Sequence, residues 1–380
     1  MRYFILAGEA SGDLHASHLM RELKAADPYA DFTFFGGDLM AAQGGVLLKH
    51  YREMAFMGLF PVVLNLDKIK ANFKLAQQQL LEYKPDVLIL VDYPGFNLRM
   101  AQFAKQHGIT VFYYISPKIW AWKTKRVHKV KKFVDEMFTI FPFETDFYNN
   151  FDYPVCFVGN PTIDELTHRA NQQQSFSEFI EHNGLENKPI IALLAGSRRQ
   201  EIKRILPVLS DVSLQFSNCQ FVIAGAPSQS LPLYAEALKG RNIPVVFGQT
   251  YELLQQSTAA LVASGTATLE TAFIGIPQVV CYRIELGRFG TWVKDQFVKV
   301  PFISLVNLIG GREIVKELFQ QYCTVATVSR ELNKILADDR YRDQMLAGYS
   351  EVLTSLGGPG CAQRAAKLMV DLLTTKYGNR

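Results

Sequence analysis

Short apolar runs, each closed by a turn and followed by an amphipathic stretch, recur from the start of this chain to about residue 283. Residues 2–7 (RYFILA), 32–36, 86–92, 109–115 (ITVFYYI) and 136–141 read as strands, with helices at 12–26, 66–83, 97–107 and 122–134. Runs that are apolar throughout belong to strands buried on both faces. Strands that alternate with helices pair in parallel. A polar stretch at 168–188 interrupts, and the rhythm restarts with strands at 190–195 (IIALLA), 220–225, 244–247, 259–263 and 277–283. Helices at 199–215, 251–256 and 267–274 lie among them. The expectation is α/β: two Rossmann-like doubly wound domains, residues 1–165 and 166–345, facing across a cleft. A helical tail over 346–380 follows, with Gly357, Gly358 and Pro359 separating two helices, and it is expected to pack back on the first domain.

Bulk properties narrow the class. A formal charge of +4 over 380 residues is too small to imply nucleic acid by itself. The five cysteines form no CxxC pair and read as reduced core residues of a cytosolic protein. No stretch approaches the roughly 18 apolar residues of a membrane span, and the N-terminus reads as a first strand, not a leader.

The strand ends carry the chemistry. VLILVDYPG (87–95) runs apolar into Asp92, a carboxylate where open α/β sheets keep their ligands; the plainer reading is a turn or cap. In AGEASGDLHAS (7–17), Glu9, Ser11 and Asp13 gather at a helix start. Two carboxylates there disfavour phosphate and suit hydroxyls, as on a sugar, unless the turn is merely capped. His15 follows as another candidate. In LLAGSRRQEI (193–202), Gly196, Ser197 and Arg198 combine backbone N–H groups, a hydroxyl and a guanidinium, which suits a diphosphate; solvated arginines are the alternative. In ASGTATLE (263–270), Ser264, Gly265, Thr266 and Thr268 repeat that chemistry, with Glu270 placed for ribose hydroxyls. Arg283 ends a strand and is a further diphosphate candidate. No HExxH or DxD-like pair is present, so no metal or other cofactor is expected. A leaving diphosphate then falls to helix dipoles and arginine.

Taken together, AGEASGD, VDYPGFN, SPKIWAWKTKRV, LLAGSRRQEI, ASGTATLE and SLVNLIGGREIVKELFQ resemble the lipid A disaccharide synthase family, in its order and from residue 7 to about 320. The resemblance implies a GT-B fold, glycosyltransferase family 19, and metal-free inverting transfer. The substrates it implies are UDP-2,3-diacylglucosamine and 2,3-diacylglucosamine 1-phosphate (lipid X), and the products are a β-1,6-linked disaccharide 1-phosphate and UDP. It implies work on the cytoplasmic face of a bacterial inner membrane, and it is compatible with a homodimer. The family's essential carboxylate maps onto Asp92, with Asn97 in the same block. Asn307 maps as a donor or UDP contact, with Glu313 and Gln320 behind it. One departure is Ala195 where a proline is expected. The alternatives are a soluble GT-B transferase, a UDP-sugar 2-epimerase, or a non-catalytic nucleotide-sugar-binding module.

Acylated substrates require a lipid-facing surface. Phe56, Met57, Leu59, Phe60, Val62, Val63 and Leu64, followed by lysines, suit an interface with anionic lipid, or else a core helix. Trp120 and Trp122 beside Lys123 and Arg126 suit phosphate or headgroup capture; nucleic acid is disfavoured, and a solvated basic helix face is the alternative.

Overall fold

Val87–Val91, buried at every position, is the type of strand on which the protein is built. The structure is a computed structural model that describes residues 1–54, 66–121, 124–167, 169, 173–263, 265–283 and 301–377. It divides into two units, Met1–Asp164 with Leu356–Arg380, and Glu165–Ser355.

In the first unit the strands are β1 (Arg2–Ala7), β2 (Asp31–Gly36), β3 (Val46–His50), β4 (Val87–Val91), β5 (Thr110–Tyr114), β6 (Glu136–Thr139) and β7 (Cys156–Phe157). They form one parallel sheet in the order β3-β2-β1-β4-β5-β6-β7. Helices Leu66–Tyr83, Pro94–Gln106 and Val127–Phe133 stand side by side, and their buried residues share one core with Phe4, Leu6, Leu88, Leu90 and Val111.

The second unit holds β8 (Ile190–Leu194), β9 (Gln220–Gly225), β10 (Val245–Phe247), β11 (Ser257–Ala263), β12 (Gln278–Tyr282) and β13 (Lys316–Phe319). Its parallel order is β10-β9-β8-β11-β12-β13.

Each sheet has one place where successive connections leave in opposite directions. In the first it lies between β1 and β4, paired Ala7↔Val91. In the second it lies between β8 and β11, paired Leu194↔Val262. A crevice outside the carboxyl ends of the strands opens at such switch points.

The boundary expected at 345 falls inside a helix. Asp339–Ser355 is continuous, with Met345, Tyr349 and Val352 buried in the second unit. Gln278 fixes it there, its N–H reaching Met345 Sδ at 3.4 Å and its Nε2 reaching Tyr349 Oη at 3.2 Å. The return to the first unit starts at Leu356, just before Gly357 and Gly358. Helix Cys361–Leu372 then lays Cys361, Ala362, Ala365, Ala366 and Met369 inward and packs on helix Ala10–Ala26. The small residues let the two backbones approach. Asp164 accepts from the Gly360 and Cys361 N–H groups, and Arg364 Nε donates to the Val158 carbonyl at 2.9 Å.

Candidate functional site

At the β1/β4 switch point, Asp92 and Tyr93 both take left-handed backbone, with φ +43° and +45°. Non-glycine residues adopt it at a cost and hold it only where neighbours enforce it. Here they do. Asp92 N–H donates to Tyr114 O at 3.2 Å, and Asp92 O accepts from Tyr113 Oη at 2.5 Å and Asn97 Nδ2 at 2.8 Å. The Tyr93 ring packs against Gly8, where a Cβ would sit 2.3 Å from it, so only glycine permits the two turns to touch. Tyr93 Oη donates to Met54 O at 3.0 Å.

Asp92 is half-buried in this rigid corner. Burial raises its pKa; the Lys118 ammonium, the Tyr93 N–H and His15 pull the other way. A carboxylate made more basic by burial, with a nearby cation favouring its charged form, is suited to accept a proton. Lys118 was not among the residues expected. It follows β5, the strand beside β4, so its loop opens on the same edge. Ile115, directly after β5 and at the start of that loop, also has φ +66°.

The rival groups separate by burial. Asp13 is buried and accepts from three N–H groups: Gly37 at 2.8 Å, Met40 at 3.1 Å and Leu39 at 3.2 Å. It anchors the turn after β2 and is not free to meet a sugar. Asn97 is likewise fully buried, its Nδ2 directed at the carbonyls of Leu6, Val91 and Asp92. It holds the corner instead of contacting an acceptor. Glu9 is half-buried at the N-cap of helix Ala10–Ala26 and raises the pKa of Tyr93, after burial itself. Ser11 is exposed and His15 half-buried on the same helix.

At the β8/β11 switch point, Gly196 has φ +92°, and a Cβ there would lie 2.6 Å from Glu201 Oε2. Glu201 reaches back over the helix start: its Oε1 is 3.1 Å from Arg198 Nη1, and its Oε2 accepts from Arg198 N–H at 3.4 Å. Sequence reading missed Glu201, although it stands at the third helical position, where a capping glutamate belongs. Ser197 and Arg198 are exposed, whereas Arg199 turns away to Glu236 at 3.5 Å. Gly265 (φ +134°) and Thr266 are exposed at the start of helix Thr266–Ile274. Glu270 lies one turn further, half-buried. Burial pushes its carboxyl up to about 7 against a hydrogen bond from Tyr251 Oη at 3.3 Å, and Glu165 adds to the rise.

Two residues assigned to the donor side are structural instead. Thr268 is fully buried and bonds its hydroxyl back to Gly265 O at 2.8 Å. Asn307 is fully buried, its Oδ1 accepting from Ile314 and Val315 N–H and its Nδ2 donating to Val315 O and Glu317 Oε1. Glu313 is exposed and paired with Lys316 at 3.0 Å. Arg283, half-buried, directs Nη2 to Cys323 O at 2.5 Å. Gln320 is buried with φ +51° just past β13.

Over residues 3–366 the chain matches the family model for lipid-A-disaccharide synthetase. A lipid-A-disaccharide synthase from Myxococcus xanthus is 39% identical over 381 residues, covering 98% of this chain and 97% of its own. The chain belongs to the lipid-A-disaccharide synthetase family. It is accordingly a glycosyltransferase with a part in lipid A disaccharide synthesis, working on a nucleotide sugar. Two solved structures share the fold. The Methanocaldococcus jannaschii UDP-GlcNAc 2-epimerase in complex with UDP-GlcNAc and UDP has a TM-score of 0.63, 12% identity and coverage of 98% and 99%. The glycotransferase of kitacinnamycin has 0.64, 13%, and 98% and 99%. At such identities they establish GT-B architecture and do not choose between epimerase and transferase; family membership does, in favour of the transferase.

For this synthetase-family chain the lipid-facing expectations divide. Phe56, Met57, Leu59, Phe60, Val62, Val63, Leu64, Trp122 and Lys123 lie outside the described residues, as does Ser264. Trp120 is buried and structural: Nε1 donates to Glu144 at 3.1 Å, and its ring meets Phe143 edge-on at 4.9 Å. Burial raises Glu144 to about 7. Arg126 is half-buried on the turn Thr124–Arg126. Among the described residues, no helix is long and apolar enough to cross a membrane, and no group of three His, Cys, Asp or Glu is placed to hold a metal.

Proposed function

We propose that the chain joins UDP-2,3-diacylglucosamine to lipid X in one inverting displacement, giving the β-1,6-linked disaccharide 1-phosphate and UDP. Asp92 removes the proton of the acceptor 6-hydroxyl as its oxygen attacks the donor anomeric carbon. The glycosyl–phosphate bond breaks on the opposite face, its electron pair leaving with UDP. Charge then grows on the β-phosphate, where the N–H groups and hydroxyls at Ser197–Arg198 and Gly265–Thr266, with the Arg198 guanidinium, receive it. Glu270 accepts from the ribose hydroxyls. Such a displacement needs a base and an anion cradle but no covalent intermediate.

The observation that carries this reading is the shared placement at switch points: Asp92 sits at that of one sheet, and both anion turns sit at that of the other. The same reading has the protein act without a metal, as a peripheral protein on the cytoplasmic face of the inner membrane, because both substrates are anchored there by acyl chains. Mass measurement of products after mixing the protein with both substrates tests it. The disaccharide 1-phosphate should form at the same rate in EDTA. A 2-epimer formed from the UDP-sugar alone, with no disaccharide, would contradict it.

A further inference from the structure

Between helices Leu66–Tyr83 and Pro94–Gln106 lies a groove of about 480 Å³, within the roughly 300–1,000 Å³ of small-ligand sites. Its lining combines Ile69, Phe73 and Phe96 with Lys70, Lys74 and Arg99. Phe73 and Phe96 meet edge to face with centroids 5.5 Å apart, and Phe96 lies 6.0 Å from the Tyr93 ring. An aromatic wall therefore runs from the groove to the corner that carries Asp92. Charge on the lining is one-sided. Three cations face a single carboxylate, the fully exposed Asp67, 4.0 Å from Lys70. A packed core does not need the cations, and a solvated helix face does not need the aromatic wall; an anionic amphiphile uses both.

We infer that this groove binds one acyl chain of the acceptor, with Lys70, Lys74 and Arg99 on its phosphate. The inference rests on the proposed reaction and adds to it the place where the acceptor is held. The 6-hydroxyl hangs from C5, and the two acyl chains leave C2 and C3 on the far side of the ring, with the 1-phosphate on the carbon next to C2, so a hydroxyl at Asp92 directs the chains away from the corner.

The test uses the full-length protein and alkyl phosphates below their micellar concentrations, titrated calorimetrically. Each added pair of methylenes from octyl to dodecyl should tighten binding by about tenfold. Ala71→Trp, an exposed position on the groove wall, should weaken dodecyl phosphate at least tenfold and raise KM for lipid X, with UDP affinity unchanged. Lys70→Gln with Lys74→Gln should bring dodecyl phosphate down to the affinity of neutral dodecyl maltoside. Dodecyl phosphate binding within twofold of wild type in Ala71→Trp would overturn the inference. So would loss of vesicle adsorption alone, which would make the groove a membrane-contact face. Alkyl phosphate binding as expected in a protein that forms no disaccharide would instead overturn the reaction and leave the groove's ligand class standing.

Discussion

Asp92 has to be basic enough to take a proton and still ionised when substrate arrives, and its surroundings set these demands against each other. Burial raises its pKa, and Lys118 is the foremost opposing influence. The acid limb of kcat/KM should therefore lie above the ordinary aspartate value of about 4. Lys118→Ala should move that limb to higher pH while leaving UDP affinity alone; a pH–rate profile of the two proteins decides it. Glu270 gives a second residue-scale prediction, on stability. Its carboxyl titrates near 4.5 unfolded and about 7 folded, so the folded state holds the proton more tightly. Its contribution is favourable below pH 4.5 and is lost as pH rises through 7, by at most about 3 kcal/mol. Urea unfolding at pH 5 and pH 7.5 should show a smaller loss of stability with pH in Glu270→Gln than in wild type.

At the scale of elements, the corner between β4 and helix Pro94–Gln106 depends on Asn97, which bridges three carbonyls from two strands and the turn. Asn97→Ala leaves those acceptors without their donor and should lower stability by about 1–3 kcal/mol. It should also lower kcat more than it changes UDP affinity, because the strained turn relaxes. Thermal melts and steady-state kinetics measure the two effects. Asn97 also shows where sequence reading stops. Its motif marks it as important, but a polar residue that serves the substrate and one that holds the backbone look alike until burial is known; Thr268, Asn307, Asp13 and Trp120 share that ambiguity. Strands were legible where both faces are buried, as in Val87–Val91 and Ile190–Leu194. Val46–His50 was missed because, as an edge strand, it buries none of its residues fully and lacks a continuous apolar run. Lys118 was missed for another reason: it follows a strand whose neighbour in the sheet carries Asp92, and sheet order is not written in the local pattern.

On the scale of the whole molecule, the chain leaves its first unit near residue 164 and returns at 356, so that the last helix completes a core begun by the first. Deleting 356–380 removes the buried face of Cys361–Leu372 from helix Ala10–Ala26. It should cost the first unit several kcal/mol while leaving the second unit's melting unchanged; calorimetry with limited proteolysis would resolve the two. The alternation of strands and helices made both sheets legible, and helical periodicity made the tail legible. The point of return was not, because the helix ending at Ser355 and the one starting at Cys361 are both amphipathic and differ only in which core they face. Central to the account is that a single acid, held at the switch point of the first sheet, takes the proton from the acceptor. Turnover of Asp92→Asn, measured beside its UDP affinity, tests this most directly. A loss of at least a thousandfold in kcat with UDP binding within twofold of wild type is expected; turnover near the wild-type rate would contradict it.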